Sequence, residues 1–414
     1  MEKIRTQPFP LYNPIGEEEA VAAAEVVRTG MLSDYIGRHG EKFGGGRKVR
    51  EFEQRWAEYH QVKHAVTFNS ATSALIAGIG AMGLLPGDEV LVIGYSMCIS
   101  ATAPLFYDVI PVFVDIEEDY FCMDPRSVEE RITSRTRAIL SVDLFGQSAD
   151  MDALSRIAKK HNLKILCDSS HVPGCGYKDG FAGTFGDIGV YSLNQHKIIH
   201  CGEAGVAVTN DDELAQRLQL IRNHGEAVVE EMGCQNLNNM VGGNYRLPEV
   251  EAAIATEQLK KLPRLLQQRI DLADYLTEKL SHLDFLSTPK VREGSSHVYY
   301  LYPLRYFEEQ TGMGREQYIN NVRVLGIPLY RFAGGYIRPL YLEPIFAQRD
   351  KFKNGFPYNL HPAEDRPNYE RGVCPVTERL YDKEMIVTAY NYPPLTKAEM
   401  DDIVKAFTKA ATMK

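Results

Sequence analysis

The sequence predicts an α/β fold in which a mostly parallel central sheet is flanked by helices and followed by a smaller C-terminal α+β domain. Three observations carry this. At 414 residues the chain is longer than one ordinary core supports. Between residues 64 and 209 short apolar runs alternate with amphipathic stretches, and beyond residue 209 the helical patterns lengthen before a mixed C-terminal region begins.

Taken in order, the predicted strands are residues 89–93, 109–114, 138–142, 164–167, 187–191 and 206–209, each brief and rich in Val, Ile and Leu as strands buried on both faces are. Residues 73–82 and 151–161 carry apolar side chains at helical spacing, with Asp150 placed to cap the second helix. Helical patterns then cover 211–223 and 248–282, the latter with an expected interruption at Pro263. A strand at 298–304, a Pro-, Gly- and Tyr-rich stretch over 334–369 and a closing helix at 397–411 complete the small domain. The expected division is 1–255 for the large domain with its N-terminal segment, and 256–414 for the helical bridge and small domain.

Composition narrows the function classes. Hydrophobic residues make up 44% and charged residues 24%, the balance of a globular protein. The net charge of -9 is spread along the chain without a basic block, which argues against a nucleic-acid partner. No apolar run reaches the roughly 18 residues of a membrane span and the first residues hold no secretory h-region, so a cytoplasmic protein with no membrane partner is expected. Seven scattered cysteines without a C-x-x-C pair suggest reduced thiols and no structural zinc.

Three groups of residues carry chemistry. Asp168 follows Ile165-Leu166-Cys167, at the C-terminal end of a predicted strand, where open α/β sheets bind ligands. Lys197 follows a second buried strand and precedes Gly202-Glu203-Ala204-Gly205. A lysine in a partly desolvated cleft has a lowered pKa and forms an imine with an aldehyde. Pyridoxal 5'-phosphate (PLP) needs one amine for that linkage and one carboxylate for its pyridine nitrogen. Asn69-Ser70-Ala71-Thr72-Ser73, opening a predicted helix, offers amides and hydroxyls to a phosphate, although the same residues routinely serve as a simple cap.

In this order and spacing, the pieces resemble the DegT/StrS-type sugar aminotransferases, fold type I of the PLP enzymes. The likeness runs through Ser70 to Leu75, Pro111 to Asp115, Leu144 to Gln147, Asp168 to His171, Ser192 to Lys197, Gly243 to Arg246 and Cys374 to Arg379. It implies that Lys197 carries the cofactor and moves protons, that Asp168 pairs with the ring nitrogen, and that His171 neighbours the ring hydroxyl. It further implies that Ala71, Thr72 and Ser192 bind the phosphate and that Asn244 reaches it from the other subunit of a homodimer, while Arg246 faces substrate. Met97 stands where the family stacks an aromatic ring, and Ala204 stands for a family glycine, a change tolerated unless position 204 needs positive φ.

The implied reaction moves an amino group from glutamate or glutamine to a keto-sugar, nucleotide-linked by family habit, with a scyllo-inosose-like ketocyclitol as the alternative. Two rivals exist. A PLP-dependent sugar dehydratase would carry histidine in place of Lys197, and a non-catalytic regulatory protein could keep the fold alone. The aromatic stretch 330–341 suits either a sugar site or a packed loop.

Overall fold

Runs of β-branched and leucine side chains form the central sheet of the computed structural model, which describes residues 2–332 and 335–413. Met1, Gly334 and Lys414, which the expected domains and Gly-rich stretch include, and Ala333 lie outside the described residues. The strands are β1 (His64–Phe68), β2 (Glu89–Ile93), β3 (Ile110–Val114), β4 (Thr136–Val142), β5 (Lys164–Asp168), β6 (Ile188–Ser192) and β7 (Gly205–Thr209). Their order is β1-β7-β6-β5-β4-β2-β3. The five strands from β3 to β6 are parallel, and β7 runs antiparallel to both neighbours. β1 is absent from the predicted strands: its five residues include His64 and Thr67 and give no clean apolar run, and its pairing with β7 supplies the partner the local pattern does not announce.

Parallel pairing puts Asp168 and Ser192, the last residues of β5 and β6, on the same edge of the sheet. Helices α1 (Glu17–Thr29), α2 (Arg47–His60), α3 (Ala71–Ala81), α4 (Met151–His161) and α5 (Asp212–Arg222) belong to this large unit. Asp150 caps α4 as expected, accepting the Ala153 N–H at 3.0 Å. The long α6 (Glu249–Leu280) then spans the expected boundary at 255.

Contrary to expectation, α6 continues through Pro263. Proline removes one helical hydrogen bond. The buried stripe of Leu259, Leu262, Leu265, Leu266, Leu272, Ala273 and Leu276 continues on both sides, so packing of that face overrides the local break.

The C-terminal unit is an antiparallel sheet of β8 (Leu286–Ser287), β9 (Tyr302–Tyr306) and β10 (Met385–Thr388). Helices α7 (Arg315–Val324) and α8 (Lys397–Ala410) share its core, which includes Tyr302, Leu304, Tyr318, Ile386 and Phe407. The predicted strand at 298–304 begins only at Tyr302. Before that point the Val298 and Leu301 amides donate to the carbonyls of Gly146 and Phe145, at 2.7 and 3.2 Å, so the segment crosses to the large unit instead of extending the sheet. Much of the Pro-rich stretch is helical turns that cover β3, where Tyr341, Phe346 and Tyr369 meet Phe113 edge-on.

The N-terminal segment ties the units together. Ile4 N–H donates to the Leu325 carbonyl at 2.9 Å, Phe9 stacks on Tyr390, and Tyr12 Oη donates to the Ile198 carbonyl at 2.5 Å. Among the described residues no helix is long and apolar enough to cross a membrane.

Candidate active site

The turn after β6 brings Lys197 back over the sheet edge. Gln195 N–H bonds the Gly202 carbonyl and Leu193 N–H the Ala204 carbonyl, at 2.8 and 2.9 Å, fastening the loop to the start of β7. Gly202 takes φ +96°, whereas Ala204 is not among the residues with positive φ, so an alanine is accommodated there.

Lys197, Asp168, His171 and Ser192 line one cavity of about 350 Å³ with Ala71, Thr72 and Met97. Burial lowers the Lys197 pKa to about 8, against the opposing pull of the Asp168 carboxylate. Its Nζ lies 4.5 Å from the centroid of the Tyr300 ring. Asp168 is buried, and its Oδ2 accepts from Ser100 Oγ at 3.0 Å while Oδ1 accepts the Ser170 N–H at 3.3 Å. His171 stacks on Tyr300 with centroids 4.2 Å apart, and burial, followed by the nearby Lys197, holds its pKa well below the ordinary imidazole value.

On the opposite wall, α3 begins. Ser70 caps it by accepting the Ser73 N–H at 3.1 Å. The first-turn amides of Ala71 and Thr72 have no partner within the helix and lie at the cavity wall, where the helix dipole favours an anion. β7 passes so close that a Cβ on Gly205 would lie 2.5 Å from the Ala71 nitrogen, which explains glycine at this position.

These groups fit PLP: a buried carboxylate suits its ring nitrogen, an amine of lowered pKa its aldehyde, and the amide-bearing helix start with the Ser192 hydroxyl its phosphate. Met97 is half-exposed at the rim.

Asn244 and Arg246 do not line this cavity. They border an adjoining open cleft with Ser33, Asn69 and Glu251, and Glu203 lines both spaces. Asn244 is exposed, and Arg246 Nε donates to Asn223 Oδ1 at 2.7 Å.

Three cavity or near-cavity residues escape a reading of the sequence. Tyr300 sits in the stretch predicted as strand, and Ser100, which holds Asp168, carries no local signal at all. Tyr336 lies within the aromatic stretch 330–341, whose composition marks it only as one of two possibilities.

The family model for the DegT/DnrJ/EryC1/StrS aminotransferase family matches residues 35–408. A GDP-perosamine synthase of Caulobacter vibrioides is 34% identical over 303 residues, covering 73% of this chain and 79% of that protein. An L-glutamine:2-deoxy-scyllo-inosose aminotransferase of Streptomyces fradiae is 32% identical over 420 residues, covering 99% and 95%. Among solved structures, an aminotransferase from Psychrobacter cryohalolentis superposes with a TM-score of 0.83 at 26% identity, over 97% of this chain and 98% of that one. The S. venezuelae enzyme DesV, solved with a ketimine intermediate, gives 0.79 at 28% identity, over 96% and 95%. With a family match over most of its length and a cavity whose donors fit the cofactor of those relatives, this chain belongs to the DegT/DnrJ/EryC1/StrS aminotransferase family and is a PLP-dependent transaminase.

Proposed function

We propose that the enzyme moves an amino group from glutamate or glutamine to a ketone on a polyhydroxylated six-membered ring, with a nucleotide-linked keto-sugar as acceptor. The observation that carries the reading is that Lys197 and the buried Asp168 line one cavity at the same sheet edge, opposite a helix start suited to phosphate.

PLP, when bound, supplies an electron sink that stabilises negative charge at the carbon losing its proton. The remaining work belongs to the chain. Lys197, with its pKa lowered to about 8, gives up its ammonium proton around pH 8 instead of above 10 and can act first as nucleophile, then as proton carrier at Nζ. Asp168, fixed by Ser100 and the Ser170 amide, presents a carboxylate that keeps the ring nitrogen protonated. Ala71, Thr72 and Ser192 would hold the phosphate and Met97 would lie beside the ring, while Arg246 would meet the part of the acceptor that extends into the adjoining cleft. The exposed Asn244 completes the phosphate site of a second copy across a two-fold axis, so the working unit is a homodimer.

A second reading, a free ketocyclitol as acceptor with glutamine as donor, is favoured by coverage. Two relatives named for 2-deoxy-scyllo-inosose match 98% and 99% of this chain, whereas the GDP-perosamine synthase matches 73%. One titration separates the readings. The amine form of the enzyme is mixed with UDP- and dTDP-linked keto-sugars and with scyllo-inosose, and return of the aldehyde-form spectrum is followed. Discharge by the nucleotide-linked sugars supports the first reading; discharge by scyllo-inosose alone replaces it with the second.

A further inference from the structure

One hydrogen-bond chain beside the cavity has only one consistent direction. Phe145 holds φ at +61°, in the left-handed region that a non-glycine residue adopts only when its surroundings impose it. That conformation points its amide at His171 Nδ1, 3.3 Å away. A nitrogen that accepts must carry the lone pair, so the single hydrogen of the neutral ring is on Nε2. Tyr336 Oη lies 3.0 Å from Nε2 and therefore accepts. The phenol hydrogen is left to donate elsewhere, and among the described residues Tyr336 Oη has no second hydrogen-bond partner.

The surroundings hold this phenol in place. Tyr95 Oη donates to the Tyr336 carbonyl at 3.3 Å, and Leu340 N–H donates to the Gly94 carbonyl at 2.8 Å. Gly335, at φ +87°, lies against Met97, where a Cβ would approach Sδ to 3.2 Å. The charged and titratable groups facing the pair are Asp168, Tyr300 and Tyr95 around Tyr336, and Lys197 beside His171. Burial keeps the phenol protonated far above its ordinary range.

Taking Asp168 and Lys197 as the anchors of the ring nitrogen and of the aldehyde carbon, as proposed above, the PLP ring has two edges between them. The phosphate arm occupies one, toward Ala71 and Thr72, and the ring oxygen lies on the other. His171 and Tyr336 are packed beside both anchors on the wall that remains. We propose that Tyr336, not His171, donates the hydrogen bond to the cofactor's ring oxygen, with His171 fixing the direction in which the phenol donates. This revises the role that the resemblance implies for His171, whose only hydrogen is committed to Tyr336.

The test is a pH titration of the near-ultraviolet and visible bands of the holoenzyme for wild type, Tyr336→Phe and His171→Gln. A ring oxygen deprived of a donor holds the proton of the lysine–cofactor linkage more tightly. Tyr336→Phe should therefore raise the pH midpoint of the spectral change by about one unit, a roughly tenfold change in proton affinity. His171→Gln should raise it less, because the phenol remains but is no longer directed. An unchanged midpoint in Tyr336→Phe overturns the proposal, and a shift in His171→Gln alone returns the contact to His171. If Tyr336→Phe does not fold, Gly335→Ala, which presses the segment against Met97, is read instead: no rise overturns the proposal. Absence of any cofactor band in the wild type would instead overturn the reading of the pocket on which this rests.

Discussion

Lys197 shows how one desolvated side chain sets the working pH. An exposed lysine titrates near 10.4, whereas burial beneath Tyr300 brings Lys197 to about 8. Capture of PLP by the apoprotein should accordingly accelerate with pH to a midpoint near 8, as measured by stopped-flow absorbance, because the deprotonated amine is the reactive form. A midpoint above 10 would mean that the amine is not desolvated. Asp168→Asn should leave the fold intact and lower turnover by on the order of 10²-fold, since an amide cannot hold the ring nitrogen protonated. Wild-type kinetics in that variant would make the aspartate structural. Both residues are legible in the sequence because strand ends announce themselves through apolar runs, and the C-terminal end of such a run in an open sheet is where ligands sit. Tyr300, Ser100 and Tyr336 are not legible in these roles, because each acts through a contact with a residue distant in sequence.

At the scale of elements, the phosphate end depends on how closely β7 passes the start of α3. Gly205→Ala would place a methyl 2.5 Å from the Ala71 nitrogen and the Ser70 carbonyl oxygen, where rigid backbone cannot yield. A stability loss of about 1–3 kcal/mol is expected. The PLP dissociation constant should rise with it, which distinguishes damage to the helix start from general destabilisation; an unchanged constant would remove the amides from the phosphate site. The same elements show why sequence reading succeeds unevenly. The buried strands β2 to β7 follow from their own composition, but β1 requires its partner, and α6 outlasts Pro263 because its buried leucine stripe lies on both sides of the break. Residues 298–301 read as strand because they are apolar and aromatic, yet the Val298 and Leu301 amides bond the Gly146 and Phe145 carbonyls of the large unit, while Tyr299 packs in the small unit's core. Apolar runs report burial and say nothing of which neighbour provides it.

For the whole molecule, the open cleft holding Asn244 beside the cavity predicts complementation between subunits. Mixed dimers of a Lys197→Ala chain and an Asn244→Ala chain should recover one competent site each, measured as activity regained on refolding the two inactive variants together. No recovery, or an active monomer, would sink the shared site. The segment from Ile4 to Tyr12 bears on handling of the protein as much as on its chemistry. It leans on the small unit through Leu325 and Tyr390 and ends in a hydrogen bond to the residue after Lys197. A preparation lacking residues 2–13 should therefore fade from yellow faster during dialysis than the full chain, at similar solubility. Shelf life of the coloured enzyme, followed by absorbance over days, thus becomes a gauge of an anchor that lies far along the chain from the lysine it steadies.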